Sequence, residues 1–347
     1  MPLDTLDTPD IAREIAAAFR LGRPLGDLRP LGNGDHPSGT RVLTTDRGLW
    51  VVKTGRLADD WQRRQARRAH QLENAALAAG IGMPRPVEPP SPAVGHWYNP
   101  AGQDAVRVTE WVEGHDLRRP GTTDVSALAE AAGWVGGTLG RIALLGPVGD
   151  GPVDDGRKAL HPMADWRTWV AEAEAGDSTV ARPARSLLPV IEDATRLIEH
   201  AERDRPPLVP VHGDTSRANV LRTLTGYALL DWDGAGAEVP WWETVSVAFR
   251  FTTEFNGPGA VGDARVVRPL IEAYLAQGAP GGASDVSAFA GMLRSQLAVT
   301  AWCLWLALGH RRADAAQRAF GQRIVGSAER QLPCVLSSLD TWTGLLR

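Results

Sequence analysis

The sequence predicts an α+β fold in two parts, a smaller N-terminal part with an antiparallel sheet and helix and a larger, mainly helical C-terminal part. Three observations carry this. β-like segments at Arg41-Val42-Leu43, Leu49 to Lys53 and Ala105 to Val112 flank one strongly helical stretch, Asp59 to Ala79. From Pro240 onward the pattern is mainly helical. The length of 347 residues with 43% hydrophobic content suggests two lobes more readily than one core. Residues 1–113 are expected to form the first part and 114–347 the second.

The elements can be justified in order. Residues 10–22 place Ile11, Ile15, Ala18 and Phe19 on one helical face. The loop Leu31 to Gly39 follows; its Gly32, Gly34 and Ser38 suit backbone N–H groups closing over phosphates. The apolar strand Leu49 to Val52 ends at Lys53. The chain has only two lysines, Lys53 and Lys158, so a lysine here calls for a reason. An ammonium is a compact point charge that approaches phosphate oxygens and a carboxylate together, whereas a guanidinium is larger and fork-shaped. The bland reading is a strand-end lysine reaching for water.

Asp59 to Ala79 is rich in helix formers, with Gly80 as its stop and Pro84 and Pro86 beyond. Glu73 is the only acidic residue between Asp60 and Glu88, so by elimination it is the candidate carboxylate for steering Lys53, against the plainer reading of a solvated glutamate on the helix surface. The strand at Ala105 to Val112 leads into Glu113-Gly114. There Thr109, Glu110 and Val112 suit a hinge with backbone groups for an adenine, although an ordinary edge strand reads the same way. Ala127 to Leu145 is a long helix whose glycines permit close packing. Residues 146–185 are the least regular, with a tryptophan-bearing helix around Asp165 to Glu174. Leu297 to Leu308 reads as a buried helix, too short for a bilayer that needs roughly twenty apolar residues.

The segment 211–233 carries the chemistry. Phosphoryl transfer asks a protein to aim an acceptor, hold Mg²⁺ against the β- and γ-oxygens and keep the triphosphate in line. One known arrangement uses an Asp, an Asn five residues later, and a second Asp after the next hairpin. Asp214 and Asn219 have that separation, and Asp231 follows the short apolar strand Tyr227 to Leu230 after the turn at Thr225-Gly226. The expected roles are acceptor orientation for Asp214 and metal binding for Asn219 and Asp231.

In chain order, Gly32/Gly34, Lys53, Glu73, the Thr109–Val112 strand, His212-Gly213-Asp214, Asn219 and Asp231-Trp232 resemble the aminoglycoside phosphotransferase and choline kinase-like family of small-molecule kinases. Protein kinases share that two-lobed fold but usually carry Arg and Phe-Gly where Gly213 and Trp232 stand. The resemblance spans roughly residues 25 to 250 and is most specific from His212 to Asp233. It implies Lys53 on the α- and β-phosphates held by Glu73, His212 as a brace and Asp233 behind Asp231. It also implies ATP or GTP as donor with Mg²⁺, and a hydroxyl-bearing small acceptor. Where the family often has Gly-Asp-Pro and Asp-Leu, this chain reads Ala237 to Glu243, so the usual structural Asp is not carried across to Glu243.

An antibiotic is the favoured acceptor, for resistance or self-protection. The alternatives are a choline, sugar or amino-alcohol kinase and an inactive nucleotide-binding module. Thirteen tryptophans are many for this length. Trp241, Trp242, Trp302 and Trp305, with Glu243, are candidates for the acceptor site, against the plainer reading that the rings are core.

A net charge of −4 argues against nucleic acid or an anionic membrane as partner. The partners expected are nucleotide and acceptor, with a monomer or homodimer. Two cysteines and no basic-then-apolar leader point to the cytoplasm. The chain lacks the Gly-x-x-x-x-Gly-Lys-Ser/Thr loop, His-Glu-x-x-His and Gly-x-Ser-x-Gly.

Overall fold

The structure is a computed structural model, and it describes residues 9–31, 39–100, 104–118, 124–146, 148, 158–176, 178–252, 262–310 and 313–347. Gly32, Gly34 and Ser38 lie outside the described residues. The described residues fall into two compact units, within Met1–Leu117, Pro147–Gly151 and His212–Gly236 for the first and Arg118–Gly146, Pro152–Val211 and Ala237–Arg347 for the second. The division expected at 113/114 follows the order of the chain, whereas this grouping follows contacts and draws 212–236 in with the N-terminal residues.

The first unit is built on a six-stranded antiparallel sheet of order β1-β2-β3-β6-β5-β4. Its strands are β1 (Arg29–Pro30), β2 (Thr40–Thr45), β3 (Gly48–Arg56), β4 (Ala93–Val94), β5 (Trp97–Tyr98) and β6 (Asp104–Glu110). Strand alternation gives the two sheet faces different work. Val52, Val106 and Val108 join Leu43 in a core closed by Ile11 and Ile15 of α1 (Pro9–Ala18) and by Phe19 just after it. Each such aliphatic side chain contributes about 1.5–3 kcal/mol by leaving water. The opposite face carries Lys53 and Arg107, which are direct cross-strand partners. That face also presents Ala105, which packs with Ala66 of α2 (Asp60–Ala78).

α2 begins where its capping chemistry dictates. The Asp59 side chain accepts from the Gln62 N–H while the Gln62 side chain reaches back to the cap backbone, a reciprocal capping box. Its buried residues, Gln65, Ala66, Ala69, Leu72, Glu73 and Ala76, recur at helical spacing, so a buried glutamate and glutamine share the stripe of small apolar residues.

A second antiparallel sheet, of order β10-β9-β7, contains β7 (His115–Asp116), β9 (Val220–Thr223) and β10 (Gly226–Leu229). The linker after α2 docks on it. The Leu229 N–H donates to the Gly82 carbonyl at 2.8 Å. A Cβ on Gly82 would stand 2.7 Å from the Tyr227 carbonyl oxygen, so only glycine permits this approach.

The second unit is mainly helical: α3 (Val125–Ala143), α4 (Met163–Ala175), α5 (Ala181–Arg203), α6 (Pro240–Arg250), α7 (Ala264–Ala276), α8 (Ala290–Leu308) and α9 (Ala315–Thr343), with the short pair β8 (Val209–Val211) and β11 (Gly236–Glu238). α3 packs against α7 through Gly136, where a Cβ would meet the Leu270 carbonyl. The expected helix at 127–145 is thus present with the close packing its glycines allow. α5 begins at Ala181, with Pro183 in its first turn and Pro189 accommodated in its interior. The other lysine, Lys158, donates to buried Glu238 at 3.4 Å, and Arg294 pairs with Glu202 nearby. Among the described residues no helix is long and apolar enough to cross a membrane.

Candidate active site

The residues expected to carry phosphoryl transfer and described here, Lys53, Glu73, Thr109, Glu110, Val112, Asp214, Asn219 and Asp231, all belong to the first unit. The loop His212 to Asn219 is fixed by an imidazole. His212 is fully buried, and its Nδ1 accepts from the Asp214 N–H at 3.3 Å. That fixes the tautomer: Nε2 carries the proton and donates to the Leu230 carbonyl at 3.0 Å. A single ring therefore ties the loop to the end of β10, one residue before Asp231. Trp232 packs edge-on against the same ring at 4.8 Å.

Asp214 is exposed. Asn219 Nδ2 donates to the Asp214 carbonyl at 2.8 Å and to its Oδ2 at 3.2 Å. This fixes the amide orientation, with Oδ1 as the accepting end of the side chain. The Leu230 N–H donates to the Asn219 carbonyl at 2.8 Å, so the two segments of the motif are stitched together by backbone as well. Asp231 adopts a left-handed backbone, φ 58° and ψ 70°, uncommon outside glycine and tolerated best by Asp and Asn.

Lys53 bridges two carboxylates. Its Nζ stands 2.7 Å from Asp231 Oδ1 and 2.7 Å from Asp233 Oδ2. Burial alone would lower the ammonium's pKa, but Asp233 and Asp231 outweigh it and hold it above the ordinary lysine value. The expected partner, Glu73, takes a different cation. Arg107 donates through Nη2 to Glu73 Oε1 and through Nη1 to Asp233 Oδ1 at 2.9 Å. The correction has a geometric cause. Arg107 stands directly opposite Lys53 on β6, and its longer, forked side chain occupies the Glu73 carboxylate on α2.

Behind this lies a polar layer. His96 Nε2 is 3.4 Å from Glu73 Oε2 and 3.2 Å from Asn74 Oδ1, and Asn74 Nδ2 meets His70 Nε2 at 3.2 Å. Burial lifts Glu73 to about 7 against the downward pull of Arg107. Burial, with His70 and Arg107 nearby, pushes His96 down to about 3, so it is neutral. Gln65 of α2 donates to the Ala235 carbonyl and, at 3.1 Å, to that of Asp233, fastening the segment after Asp231.

Sequence reasoning missed Arg107 and Gln65, and it set Asp233 behind Asp231 without foreseeing the contacts of Asp233 with Lys53 and Arg107. One signal was available. Ala105-Val106-Arg107-Val108 is a strand with apolar neighbours on both faces, and an arginine in its middle requires carboxylate partners.

At the proposed hinge, the Glu110 N–H donates to the Arg85 carbonyl at 2.9 Å and the Trp111 N–H to that of Leu49 at 3.2 Å. Thr109 pairs with Val51 across the sheet, and regular structure ends at Glu110, leaving Val112 in a segment without ladder partners.

Of the acceptor candidates, Trp241, Trp242 and Glu243 are buried in the second unit's core. Trp241 donates to the Ala283 carbonyl and Trp242 lies under Arg294, so these three present no surface to a ligand. Trp302 is exposed beside Phe320, whereas Trp305 packs against Trp169 and His161. Three positions apart on α8, the two rings serve different neighbours.

Asn219 and Asp231 offer an amide and a carboxylate oxygen. Hard oxygen donors of that kind suit Mg²⁺, which takes one or two carboxylates and completes its shell with water and substrate phosphates. Among the described residues there is no group of three or more His, Cys, Asp or Glu able to hold a metal alone.

A family model described as the phosphotransferase enzyme family matches residues 27–283, and the chain belongs to that family. No curated protein matches the sequence. Among solved structures, spectinomycin phosphotransferase in complex with ADP and spectinomycin is similar over 96% of this chain and 98% of its own, with TM-score 0.60 and 12% identity. An amicoumacin kinase in complex with AMP-PNP and Ca²⁺ covers 92% of each chain, with TM-score 0.56 and 12% identity. Choline kinase LicA from Streptococcus pneumoniae is similar over 92% of this chain and 97% of its own, with TM-score 0.53 and 14% identity. At these identities the likeness is one of fold. The α+β class and the resemblance to aminoglycoside phosphotransferases and choline kinases are both borne out.

Proposed function

We propose that this phosphotransferase moves the γ-phosphate of ATP or GTP to a hydroxyl of a small acceptor, and that the acceptor is an antibiotic. The observation that carries the reading is the stitched pair of segments holding Asp214, Asn219 and Asp231 in one unit with Lys53 against Asp231. Asp214 accepts the acceptor's proton and orients its oxygen. Asn219 and Asp231 would hold Mg²⁺, which would supply charge neutralisation at the triphosphate. Lys53 leaves the carboxylates to meet the α- and β-phosphates, and the backbone around Glu110 and Val112, with Thr109 behind, receives the base.

The antibiotic assignment draws on the spectinomycin and amicoumacin enzymes that share the fold. A choline-type amine is the second reading. It is favoured by the edge-on group of His161, Trp169 and Trp305, with the Asp165 carboxylate 3.9 Å from His161, since rings and carboxylates together attract a cationic amine. Both cysteines, Cys303 and Cys334, are free thiols, which favours the cytoplasm as the place of work.

The test is transfer from ATP or GTP, with Mg²⁺, to a panel of aminoglycoside, peptide and nucleoside antibiotics, choline and sugars, read as a mass shift. One antibiotic gaining a single phosphate is the expected result. Phosphorylation of choline alone would move the assignment to the amine class, and no transfer with intact nucleotide binding would contradict the antibiotic assignment.

A further inference from the structure

The Lys53 ammonium is held without the helix carboxylate that sequence reasoning assigned to it. A continuous chain of charged contacts runs Glu73, Arg107, Asp233, Lys53, Asp231, with alternating sign at every step. Lys53 and Arg107 are direct partners across β3 and β6, two like charges side by side, an arrangement that is unfavourable unless carboxylates separate them. Asp233 does so: its Oδ1 takes Arg107 and its Oδ2 takes Lys53. Arg107 is almost completely buried, and its fork geometry lets it serve two carboxylates from separate elements, Glu73 on α2 and Asp233 after β10.

We propose that Arg107 is a positioning residue for Lys53: it claims the Glu73 carboxylate for itself and orients Asp233, which in turn presents the Lys53 ammonium beside Asp231 for the triphosphate. In this arrangement Glu73 acts on the lysine at second hand. It anchors Arg107 to α2 and makes no direct contact with Nζ. Asp233 is the carboxylate that matters to the lysine, and Gln65, by binding the Ala235 and Asp233 carbonyls, holds the Asp233 backbone against the same helix. The assignment rests on the reading of Lys53 as a nucleotide-binding residue.

A mutant cycle on the full chain tests it, with MgATP affinity measured by calorimetry. All proteins carry Glu73→Gln, so that removing Arg107 leaves no ionised carboxylate buried alone, and folding is checked by circular dichroism. Lys53→Met and Arg107→Met are each expected to weaken MgATP binding about tenfold, the factor that loss of one charge-assisted hydrogen bond supplies. The double variant should bind no more weakly than Lys53→Met, because Arg107 acts through the lysine.

Equal losses from Arg107→Met with and without Lys53 would overturn the proposal, since a general structural role or a direct nucleotide contact acts in both backgrounds. Unchanged affinity in Lys53→Met would instead remove the lysine from nucleotide binding, a distinct result that overturns the proposal at its premise. Asp233→Asn, run through the same cycle, reads the same link should Arg107→Met not fold, and must likewise lose its effect when Lys53 is methionine. Arg107→Lys keeps the charge but not the fork. It should recover only part of the affinity, and full recovery would contradict the bridging geometry.

Discussion

Glu73 and His96 lie side by side against Arg107, and burial moves their proton affinities in opposite directions. Glu73 rises from 4.5 to about 7 on folding. Between those values the folded chain holds a proton that the unfolded chain has released, so this contribution to stability is present at low pH and is lost as pH rises toward 7. His96 falls from 6.5 to about 3. Here the unfolded chain binds the extra proton, so the contribution is present above pH 6.5 and is lost as pH falls. From pH 4.5 to 6.5 the two slopes oppose each other. Glu73→Gln removes the falling one and leaves the rising one. Relative to the wild type, the variant should gain about 3 kcal/mol of stability across that window, measured by denaturant unfolding at its two ends. A constant difference between variant and wild type would mean that Glu73 is ionised throughout.

At the scale of elements, the linker after α2 does more than connect. Gly82 lets its carbonyl accept from the Leu229 N–H while its backbone lies against Tyr227. Gly82→Ala drives a methyl group into a carbonyl oxygen that belongs to a hydrogen-bonded hairpin and cannot swing aside. The expected cost is about 1–3 kcal/mol, read as a lowered thermal midpoint, with weaker MgATP binding as the hairpin that ends at Asp231 shifts. An unchanged midpoint would show that the hairpin moves freely.

The same contrast explains what was legible in the sequence. Local signals are written in neighbouring residues, so the helix-forming stretch from Asp59, the Gly80 stop, the turn at Thr225-Gly226 and the five-residue offset from Asp214 to Asn219 could all be read. The partner of Glu73 could not. It depends on which residue of β6 stands opposite Lys53, a register set by tertiary pairing. The beginning of α5 was hidden by Pro183 and Pro189, which local propensity counts as breaks but which the helix accommodates.

For the molecule as a whole, the two compact units separate two kinds of evidence. The first gathers every described residue assigned to nucleotide, metal and proton transfer. The second holds the four tryptophans considered for the acceptor, and burial divides them: Trp241 and Trp242 are core, while Trp302 keeps a ring in solvent. A count of tryptophans therefore spoke to packing more than to a ligand, since a chain rich in large apolar rings uses most of them inside. A net charge of −4 fits an acceptor recognised by local geometry better than one recognised by a broad field.

In the proposed reaction Asp214 performs the proton step of a phosphoryl transfer whose nucleotide is held by other residues. Its most direct test is a comparison of wild type and Asp214→Ala, with transfer to the accepted hydroxyl read by mass shift and MgATP affinity read by calorimetry on the same preparations. In Asp214→Ala, transfer is expected to fall by roughly a hundredfold or more, the usual contribution of a positioned general base, while MgATP affinity stays within about twofold. Transfer at the wild-type rate from a folded Asp214→Ala protein would contradict it.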